Sequence, residues 1–255
     1  METGGTVLVL GSAPHAVEAR TWPRSRFSTL VVLNNAWRIR EDWDFLVAPD
    51  DFPADRRPGL LRSGQRVIGS DTYVPANNVH GGIFYAGGTM AFSAAYWVLA
   101  ALRPRTLGFF GCDMVYPSQG QTHFYGTGSA DPLRQDKSLR NLEAKSARLM
   151  LHAARQGTAC VRLGDGPSRL LFPQAEIEAL DQVAPANPRA GGALFDALKA
   201  EEAKLNFHEP SGRYWKVDEA FSTQAIDALD RRWVQAVKAR GTAGGTSAPV
   251  SFAAR

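Results

Sequence analysis

The segment TVLVLGSAP, which starts at Thr6, constrains the fold of this chain more than any other. The predicted first strand, Thr6–Leu10, contains the all-apolar run Val7–Leu10, which is typical of a parallel strand that is buried on both faces. The residues that follow, Gly11–Pro14, turn the chain towards a helix. In open α/β sheets such a turn and the helix N-terminus form a site for an anion, usually a phosphate. The segment therefore predicts a nucleotide-binding α/β protein, with an ordinary strand–turn–helix junction as the alternative.

Strands and helices alternate along the first two thirds of the chain. Helices are predicted over Pro14–Arg20, over Met90–Leu102, and between the capping residue Ser138 and Gly157. This alternation favours a doubly wound, mostly parallel sheet, which is a Rossmann-like α/β fold. After the first strand, the predicted strands are Thr29–Leu33, Phe45–Ala48, Arg66–Gly69, Thr106–Phe110 and Ala159–Leu163.

The chain changes character towards its C-terminal end. We expect residues 1–174 to form a Rossmann-like nucleotide-binding catalytic domain and residues 175–239 to form a helical extension. Helical periodicity covers Ala193–Leu205 and part of Val217–Lys238. The extension either covers an edge of the sheet or closes over the site as a lid. Covering is favoured, because apolar residues at helical spacing usually serve packing. Residues 240–255, rich in Gly, Ala, Ser and Thr, predict a disordered tail.

The composition is that of an ordinary globular protein, and it narrows the function classes. Of the 255 residues, 44% are hydrophobic and 21% are charged, and the formal net charge is only +4. Because the arginines are scattered along the sequence, binding to nucleic acid or to a membrane is only weakly supported. No apolar run approaches the roughly 20 residues that span a bilayer, and the N-terminus has no signal-type segment. We therefore expect a cytoplasmic protein in which Cys112 and Cys160 are reduced, buried thiols.

Polar and small residues follow several predicted strands, at the edge where ligands bind in such sheets. Asn34 and Asn35 come after the second strand and offer amide groups to a phosphate, a ribose or a base, although paired asparagines are also common in turns. Gly87 and Gly88 either let a ligand approach the backbone or simply form the entry to the long apolar helix. Asp113 follows the fifth strand, where a carboxylate can bind a hydroxyl or act as a base.

The first turn does not match the two common phosphate-binding motifs. It lacks both GxGxxG and GxxxxGK[ST]. A dehydrogenase and a Walker-type ATPase are therefore disfavoured.

A long irregular segment, residues 116–133, comes shortly after Asp113. A loop of this length inside a compact domain is usually functional. His123 can act as a base near neutral pH, and the hydroxyls of Tyr116 and Tyr125 can donate to a departing phosphate. The alternative is a surface loop whose histidine caps or packs.

Five short motifs together resemble one known group of proteins. GSAP in the first turn resembles the GNGPS motif of the bacterial CMP-sialic-acid-dependent sialyltransferases, and of a wider Rossmann-like group related to a pterin diphosphokinase. LNNAW resembles their asparagine motif, and the stretch from GGTM to GCDM resembles their small-residue turn, helix and strand. HFYG is similar to their His-Tyr-x-Gly loop, and GPSRL is similar to the PxSxL after their last strand. The order and approximate spacing agree over residues 6–173.

The resemblance implies an inverting, metal-independent transfer from a CMP-activated sugar to a hydroxyl of a glycan or small-molecule acceptor, with no cofactor. His123 would be the base, and Tyr116 and Tyr125 would stabilise the phosphate leaving group. Asp113 is the fourth candidate catalytic residue. The candidate nucleotide-binding residues are Gly11, Ser12, Ala13, Pro14, Asn34, Asn35, Gly87, Gly88, Gly111, Pro167 and Ser168.

The chain departs from the family pattern at three positions. Ser12 and Ala13 stand where the family has its first-turn asparagine and second glycine. Thr127 stands where the family has its catalytic histidine. His123, the earlier histidine of the loop, is therefore assigned as the base.

Two other function classes stay open. A diphosphokinase of the pterin type would use the same fold with Mg²⁺ held by carboxylates such as Asp50, Asp51 and Asp113. A catalytically silent nucleotide- or sugar-binding protein would keep the Gly-rich turns and lose the base. The donor sugar, the acceptor and the formation of a homo-oligomer are also left open by the sequence.

Overall fold

Six short apolar segments form one parallel sheet in the computed structural model, which describes residues 4–127, 135–189 and 191–243. The strand order is β4-β3-β2-β1-β5-β6, and every neighbouring pair is parallel. The chain builds outwards from β1 to β4 and then crosses to β5, so the switch in strand order falls between β1 and β5. This confirms the predicted Rossmann-like α/β fold. The strands are Thr6–Leu10 (β1), Thr29–Leu33 (β2), Phe45–Val47 (β3), Arg66–Ile68 (β4), Thr106–Phe110 (β5) and Ala159–Arg162 (β6).

Alternate side chains of the central strands enter two separate apolar cores. Val7 and Val9 of β1 pack with residues of the α-helices on one face, while Leu8 and Leu10 pack on the other. The second face is covered mainly by short 3₁₀ segments, of which Pro14–Thr21 is the longest. The α-helices are Ser70–Asn78 (α1), Ile83–Ala86 (α2), Met90–Ala101 (α3), Leu142–Arg155 (α4), Gly192–Leu205 (α5) and Thr223–Ala243 (α6).

Helix α3 lies in the middle of the first core and is apolar on nearly all sides, as a fully buried helix must be. Thr89 is its N-cap residue, and the Thr89 hydroxyl accepts a hydrogen bond from the Phe92 N–H at 3.2 Å. The predicted span Met90–Leu102 is confirmed to within one residue. The helix begins next to the carboxyl ends of the strands, which is where the candidate site lies.

Two helix predictions need correction. Pro14–Thr21 forms a 3₁₀ segment instead of an α-helix. Ser138 does not cap α4, because it belongs to a separate short turn in which the Asp136 side chain accepts from its backbone N–H. The cap of α4 is Asn141, whose side chain accepts from the Ala144 N–H at 2.9 Å. Helices α1 and α2 were not predicted from the sequence.

The helical extension packs into the same core as the sheet. Phe221, Ile226, Leu229 and Trp233, which all lie in the predicted helical range Val217–Lys238, are buried there. Residues 240–243 continue α6, and the rest of the predicted tail, residues 244–255, lies outside the described residues.

Two buried ion pairs hold the extension against α4. Arg148 binds Glu202 of α5 at 2.6 Å, and Lys145 binds Asp230 of α6 at 2.9 Å. Each of these side chains is at most 3% exposed. Both helices of the extension are therefore attached to the domain by charge as well as by apolar packing.

Two further predictions can be compared with the structure. Cys112 and Cys160 are buried free thiols, as expected, and burial raises the pKa of both. Within the described ranges, no helix combines the length and the apolar character needed to cross a bilayer.

Candidate functional site

A cleft of about 150 Å³ lies where the carboxyl ends of β1, β2 and β5 meet the N-terminus of α3. This is the switch point in strand order, where open α/β sheets bind their ligands. The cleft brings together residues from four of the five motifs singled out in the sequence. Its lining residues are Gly11, Ser12, Ala13, Leu33, Asn34, Thr89, Met90, Ala91, Gly111, Cys112, Met114, Val115, Tyr116, His123 and Tyr125.

The floor of the cleft is made by the first turn packing directly on the end of β5. The Gly11 N–H donates to the Phe110 carbonyl at 2.8 Å, and the Ala13 N–H donates to the Gly111 carbonyl at 3.1 Å. A Cβ atom on Gly11 would lie 2.2 Å from the Gly111 carbonyl oxygen, which no real contact allows. Gly11 is therefore required by the close approach of two backbones, whatever ligand binds there.

Two non-glycine residues of the cleft have left-handed backbone conformations. Asn34, directly after β2, has φ of +48°, and Met114, after β5, has φ of +55°. Asparagine tolerates this region, whereas for methionine it is a strained conformation. The Asn34 side-chain oxygen is buried, and none of the described residues gives it a hydrogen-bond partner. Strain and an unsatisfied polar atom at the same edge are typical of a ligand site.

The loop that carries His123 is fixed to the first turn. The Phe124 N–H donates to the Ser12 carbonyl at 3.0 Å, and His123 and Gly126 exchange two backbone hydrogen bonds of 3.0 Å each. The His123 ring lies 4.9 Å from the Tyr125 ring in a stacked arrangement. These contacts hold the imidazole at the cleft wall.

Tyr116 completes the aromatic group at this wall, since its ring lies 5.9 Å from that of His123. The His123 Nδ1 lies 2.8 Å from the Thr122 hydroxyl, which orients the imidazole. Thr127 is exposed, and its hydroxyl donates to the Gly120 carbonyl at 2.8 Å. Thr127, which the resemblance aligns with a catalytic histidine, therefore stabilises the conformation of the loop.

The first turn of α3 contributes Thr89, Met90 and Ala91 to the cleft. The helix is 12 residues long, and its N-terminus carries the positive end of the helix dipole. A negatively charged group in the cleft is therefore favoured on electrostatic grounds.

Asp113 is not brought to the cleft wall, although its neighbours Cys112 and Met114 are. Its carboxylate lies 3.2 Å from the His15 Nε2. The Asp113 carboxylate is the largest influence on His15 and raises the pKa of that imidazole, against a smaller opposing effect of burial. The pair joins the segment after the first turn to the end of β5. No sequence pattern predicted it, because the two residues are almost 100 positions apart.

Several other predicted nucleotide-binding residues also lie outside the cleft wall. Asn35 is 3% exposed and turned into the protein. The Ser168 hydroxyl accepts from the Leu170 N–H at 3.2 Å and so shapes the local turn after β6. Gly87 is packed so closely that a Cβ atom there would lie 2.9 Å from the Lys145 side chain. Pro14 and Pro167 do not line the cleft either.

A second cavity, of about 770 Å³, lies beside the cleft and shares Thr89 and Met90 with it. Its other walls come from the ends of β3 and β4, from α1, and from the loop of residues 211–216 in the helical extension. The extension therefore packs on the domain and also forms one wall of a cavity. The lining residues are Pro49, Asp50, Asp51, Ser70, Asp71, Tyr73, Val74, Pro75, Ile83, Gly88, Thr89, Met90, Ser93, Ser211, Gly212, Arg213, Tyr214, Trp215 and Lys216.

A chain of hydrogen bonds fixes the extension's loop to this cavity. The buried Tyr214 hydroxyl lies 2.6 Å from an Asp136 carboxylate oxygen and 3.0 Å from the Ser138 hydroxyl. The Ser138 hydroxyl in turn accepts from the Gly88 N–H at 3.0 Å. Gly88 therefore connects the loop of the extension to the residues before α3.

The three carboxylates considered for Mg²⁺ do not form one cluster. Asp50 and Asp51 line the larger cavity, where the Ser70 hydroxyl donates to Asp50 at 2.6 Å, whereas Asp113 pairs with His15. Among the described residues, no group of three or more His, Cys, Asp or Glu side chains is arranged to hold a metal ion. Tyr73 also lines the larger cavity. Burial is the main cause that raises its pKa to about 12, and the charges of Asp50 and Asp51 raise it further.

Comparisons with protein-family models, with curated proteins and with solved structures give no match for this chain.

Proposed function

We propose that this protein is an inverting glycosyltransferase that takes its sugar from a CMP-linked donor and binds the donor phosphate in the cleft. The observation that carries the proposal is the hydrogen bond between Phe124 N–H and the Ser12 carbonyl. It joins the HFYG loop to the GSAP turn, two motifs that are more than 100 residues apart in the sequence. The resemblance to sialyltransferases requires these motifs to serve one site, and they line one cleft.

The cleft supplies groups for the phosphate of the donor. The N-terminus of α3 favours its negative charge, and the side chains of Ser12 and Asn34 can hydrogen-bond to phosphate or ribose oxygens. As the bond between the anomeric carbon and the phosphate oxygen breaks, the negative charge grows on the phosphate. The hydroxyls of Tyr116 and Tyr125 would stabilise that charge.

His123 would act on the acceptor in the same step. A hydroxyl oxygen of the acceptor attacks the anomeric carbon from the face opposite the phosphate, and its proton passes to the imidazole of His123. One glycosidic bond forms as one sugar–phosphate bond breaks, which gives inversion at the anomeric carbon. The Thr122 hydroxyl, 2.8 Å from the His123 Nδ1, would hold the ring for this transfer.

The sizes of the two spaces suggest how the substrates are divided. The cleft, at about 150 Å³, is smaller than the roughly 300–1,000 Å³ of typical small-molecule sites. It fits a phosphate and part of a ribose, so the rest of the donor and the acceptor need the adjoining cavity of about 770 Å³. The carboxylates of Asp50, Asp51 and Asp71 can accept hydrogen bonds from sugar hydroxyls there.

Because both cysteines are free thiols, we place the reaction in the reducing cytoplasm.

The test is release of CMP from CMP-sialic acid with EDTA present, measured for the wild type and for His123→Ala. We expect His123→Ala to be on the order of 100-fold slower or more while it still binds CMP. His208→Ala, at an exposed histidine of the extension, should keep wild-type turnover. Full turnover by His123→Ala would contradict the base assignment. CMP release that requires Mg²⁺ would contradict the metal-independent mechanism, and cytidine-selective binding without turnover would favour a silent binding protein.

A further inference from the structure

The connection between β3 and β4 exposes an unusual amount of apolar side chain. Leu60 is 92% exposed and Leu61 is 46% exposed, and Val67 on the adjoining edge strand is 44% exposed. Single exposed apolar residues are normal, but two consecutive exposed leucines form a small apolar patch. Such a patch costs free energy in water unless something covers it.

The whole connection, residues 48–65, has no net charge, because three arginines are balanced by Asp50, Asp51 and Asp55, but the part that carries the leucines is basic. Residues 53–66 contain four arginines, Arg56, Arg57, Arg62 and Arg66, and a single acidic residue, Asp55, which gives a net charge of +3. The Arg57 guanidinium donates to the Phe52 and Asp50 carbonyls, and Arg62 pairs with Glu41. No described residue forms an ion pair with Arg56 or Arg66. The guanidinium groups of Arg56 and Arg66, which flank the leucines in the sequence, are therefore available to an outside anion.

The connection is held in place at both ends. The Trp37 indole N–H donates to the Arg56 carbonyl at 2.9 Å. Beyond the leucines, the Gln65 side chain accepts from the Arg62 N–H at 3.0 Å and donates to the Glu41 carbonyl at 2.8 Å. The exposure of Leu60 is thus a property of an anchored segment. Leu60 is four residues from Arg56, which keeps their Cα atoms within about 14 Å of each other.

We propose that residues 56–66 dock this protein on an anionic phospholipid surface. Leucines that enter the boundary between headgroups and acyl chains, flanked by arginines that bind lipid phosphates, are the chemistry by which peripheral proteins bind such a surface. Nucleic acid would use the arginines but would leave the leucines in water, and a second copy of this chain would bring like charges together. The basic, apolar patch therefore fits a lipid surface best.

Docking would also orient the molecule. The docking segment, residues 56–66, starts five positions after Asp51. Asp50 and Asp51 line the larger cavity, and the Arg57 guanidinium donates to the Asp50 carbonyl at 3.0 Å. The rim of that cavity would therefore lie near the lipid surface. The inference does not depend on the reaction proposed for the cleft.

The test is co-sedimentation of the whole chain with vesicles. We expect binding to phosphatidylcholine vesicles that contain phosphatidylglycerol, with little binding to phosphatidylcholine alone, and a decrease as salt is added. Leu60→Ser/Leu61→Ser and, separately, Arg56→Glu/Arg66→Glu should each weaken binding by about tenfold or more. All these side chains are exposed, so the thermal midpoint of each variant should stay at the wild-type value, which shows that the variant is folded.

Matched controls lie elsewhere on the surface. Val79→Ser, at a valine that is 78% exposed, and Arg189→Glu, at an exposed arginine, should leave vesicle binding unchanged. Equal binding to the two kinds of vesicle, or none to either, would overturn the proposal. Full vesicle binding by Leu60→Ser/Leu61→Ser would also overturn the proposal. The same holds if the protein binds a DNA duplex more strongly than vesicles and only Arg56→Glu/Arg66→Glu loses the DNA binding.

Discussion

Gly11 is the residue whose identity the structure explains most completely. A Cβ atom there would lie 2.2 Å from the carbonyl oxygen of Gly111. The backbone of Gly11 fixes the position of such a Cβ atom, and the carbonyl oxygen is itself a backbone atom, so neither can move without moving the end of a central strand. The sequence predicted Gly11 as a contact for phosphate. The structure adds that two strand ends could not meet with any larger residue at this position.

Gly11→Ala tests whether the close approach of the two backbones requires glycine at this position. We expect a loss in the free energy of unfolding of about 1–3 kcal/mol, because the added methyl group must push two backbones apart. Urea unfolding measures this change in the free energy of unfolding. Gly59→Ala is the matched control, since a Cβ at Gly59 would meet no heavy atom within 4 Å, and it should change stability by less than about 0.5 kcal/mol. Equal stability of the two variants would show that the first turn relaxes freely.

The sequence predicted which strand ends would meet, but it could not predict which way each side chain there would point. Ser12, Asn34 and His123 line the cleft as expected. Asn35 and Asp113 are next to lining residues yet point elsewhere, because consecutive residues of an extended or turning chain face different sides. The direction depends on backbone angles such as the φ of +48° at Asn34, and these are set by the tertiary structure.

At the scale of elements, α4 is the helix on which the extension depends. Arg148 and Glu202 are almost fully buried, and the Arg148 guanidinium also donates to the Tyr96 hydroxyl at 2.6 Å. Removing one partner of a buried pair leaves the other charge without compensation, which typically costs about 3–5 kcal/mol.

Glu202→Ala should therefore lower the free energy of unfolding by about 3–5 kcal/mol, whereas Arg148→Met/Glu202→Leu should lower it by less, because the fully buried cation is removed with its partner and only the partly exposed Lys199 is left unpaired. Thermal and urea unfolding give both values. The control is Asp227→Ala, which breaks the exposed pair with Arg140 and should cost at most about 1 kcal/mol. If Glu202→Ala cost no more than Asp227→Ala, the buried pair would not be what holds α5.

Two histidines next to the same pair predict a pH effect. The Nδ1 atoms of His80 and His152 lie 3.3 Å apart, faced by Arg148 and Lys199. Glu202 binds both of those cations. Tyr96, Phe195 and Trp233 contribute the rings around the histidine pair. Burial is the main cause that lowers the pKa of His80 to about 4 and the pKa of His152 well below its usual range, and the nearby cations lower both further.

Because the unfolded chain binds these protons near pH 6.5 and the folded chain does not, stability should fall as the pH falls from about 6.5 to about 4. His80 alone accounts for roughly 3 kcal/mol over that window. His152→Gln should make the dependence shallower, and His208→Gln, at an exposed histidine, should not. Urea unfolding at a series of pH values measures the slope, and an unchanged slope in His152→Gln would contradict the assignment.

The elements themselves were predictable where burial determined their composition. The buried strands β1, β2 and β5 read as short apolar runs and were predicted to the residue. Helix α1 was missed because it contains Pro75 and has only weak apolar periodicity. Pro14–Thr21 was predicted as an α-helix, and the shorter 3₁₀ segments on the second face gave no signal, since they are too short for a helical pattern to repeat.

At the scale of the whole molecule, the strand order brings two spaces to one end of α3. The cleft over β2, β1 and β5 and the cavity over β3 and β4 share Thr89 and Met90. A donor phosphate in the first space and an acceptor in the second would therefore be neighbours. The sequence could not predict the second space, because one of its walls comes from the loop of residues 211–216, far away in the chain.

If the cleft binds a cytidine phosphate, as we propose, CMP should stabilise the folded protein, which is measured as the thermal midpoint of unfolding with and without CMP. With EDTA present, we expect CMP to raise it by an amount that grows with the logarithm of the CMP concentration above its Kd, and AMP to raise it much less. Asn34→Asp should reduce the CMP effect, because a carboxylate repels phosphate while aspartate, like asparagine, tolerates the left-handed backbone. Asn206→Asp, at an asparagine with φ of +54° outside the cleft, should not. No shift with CMP, an equal shift with AMP, or an undiminished shift in Asn34→Asp would contradict the account.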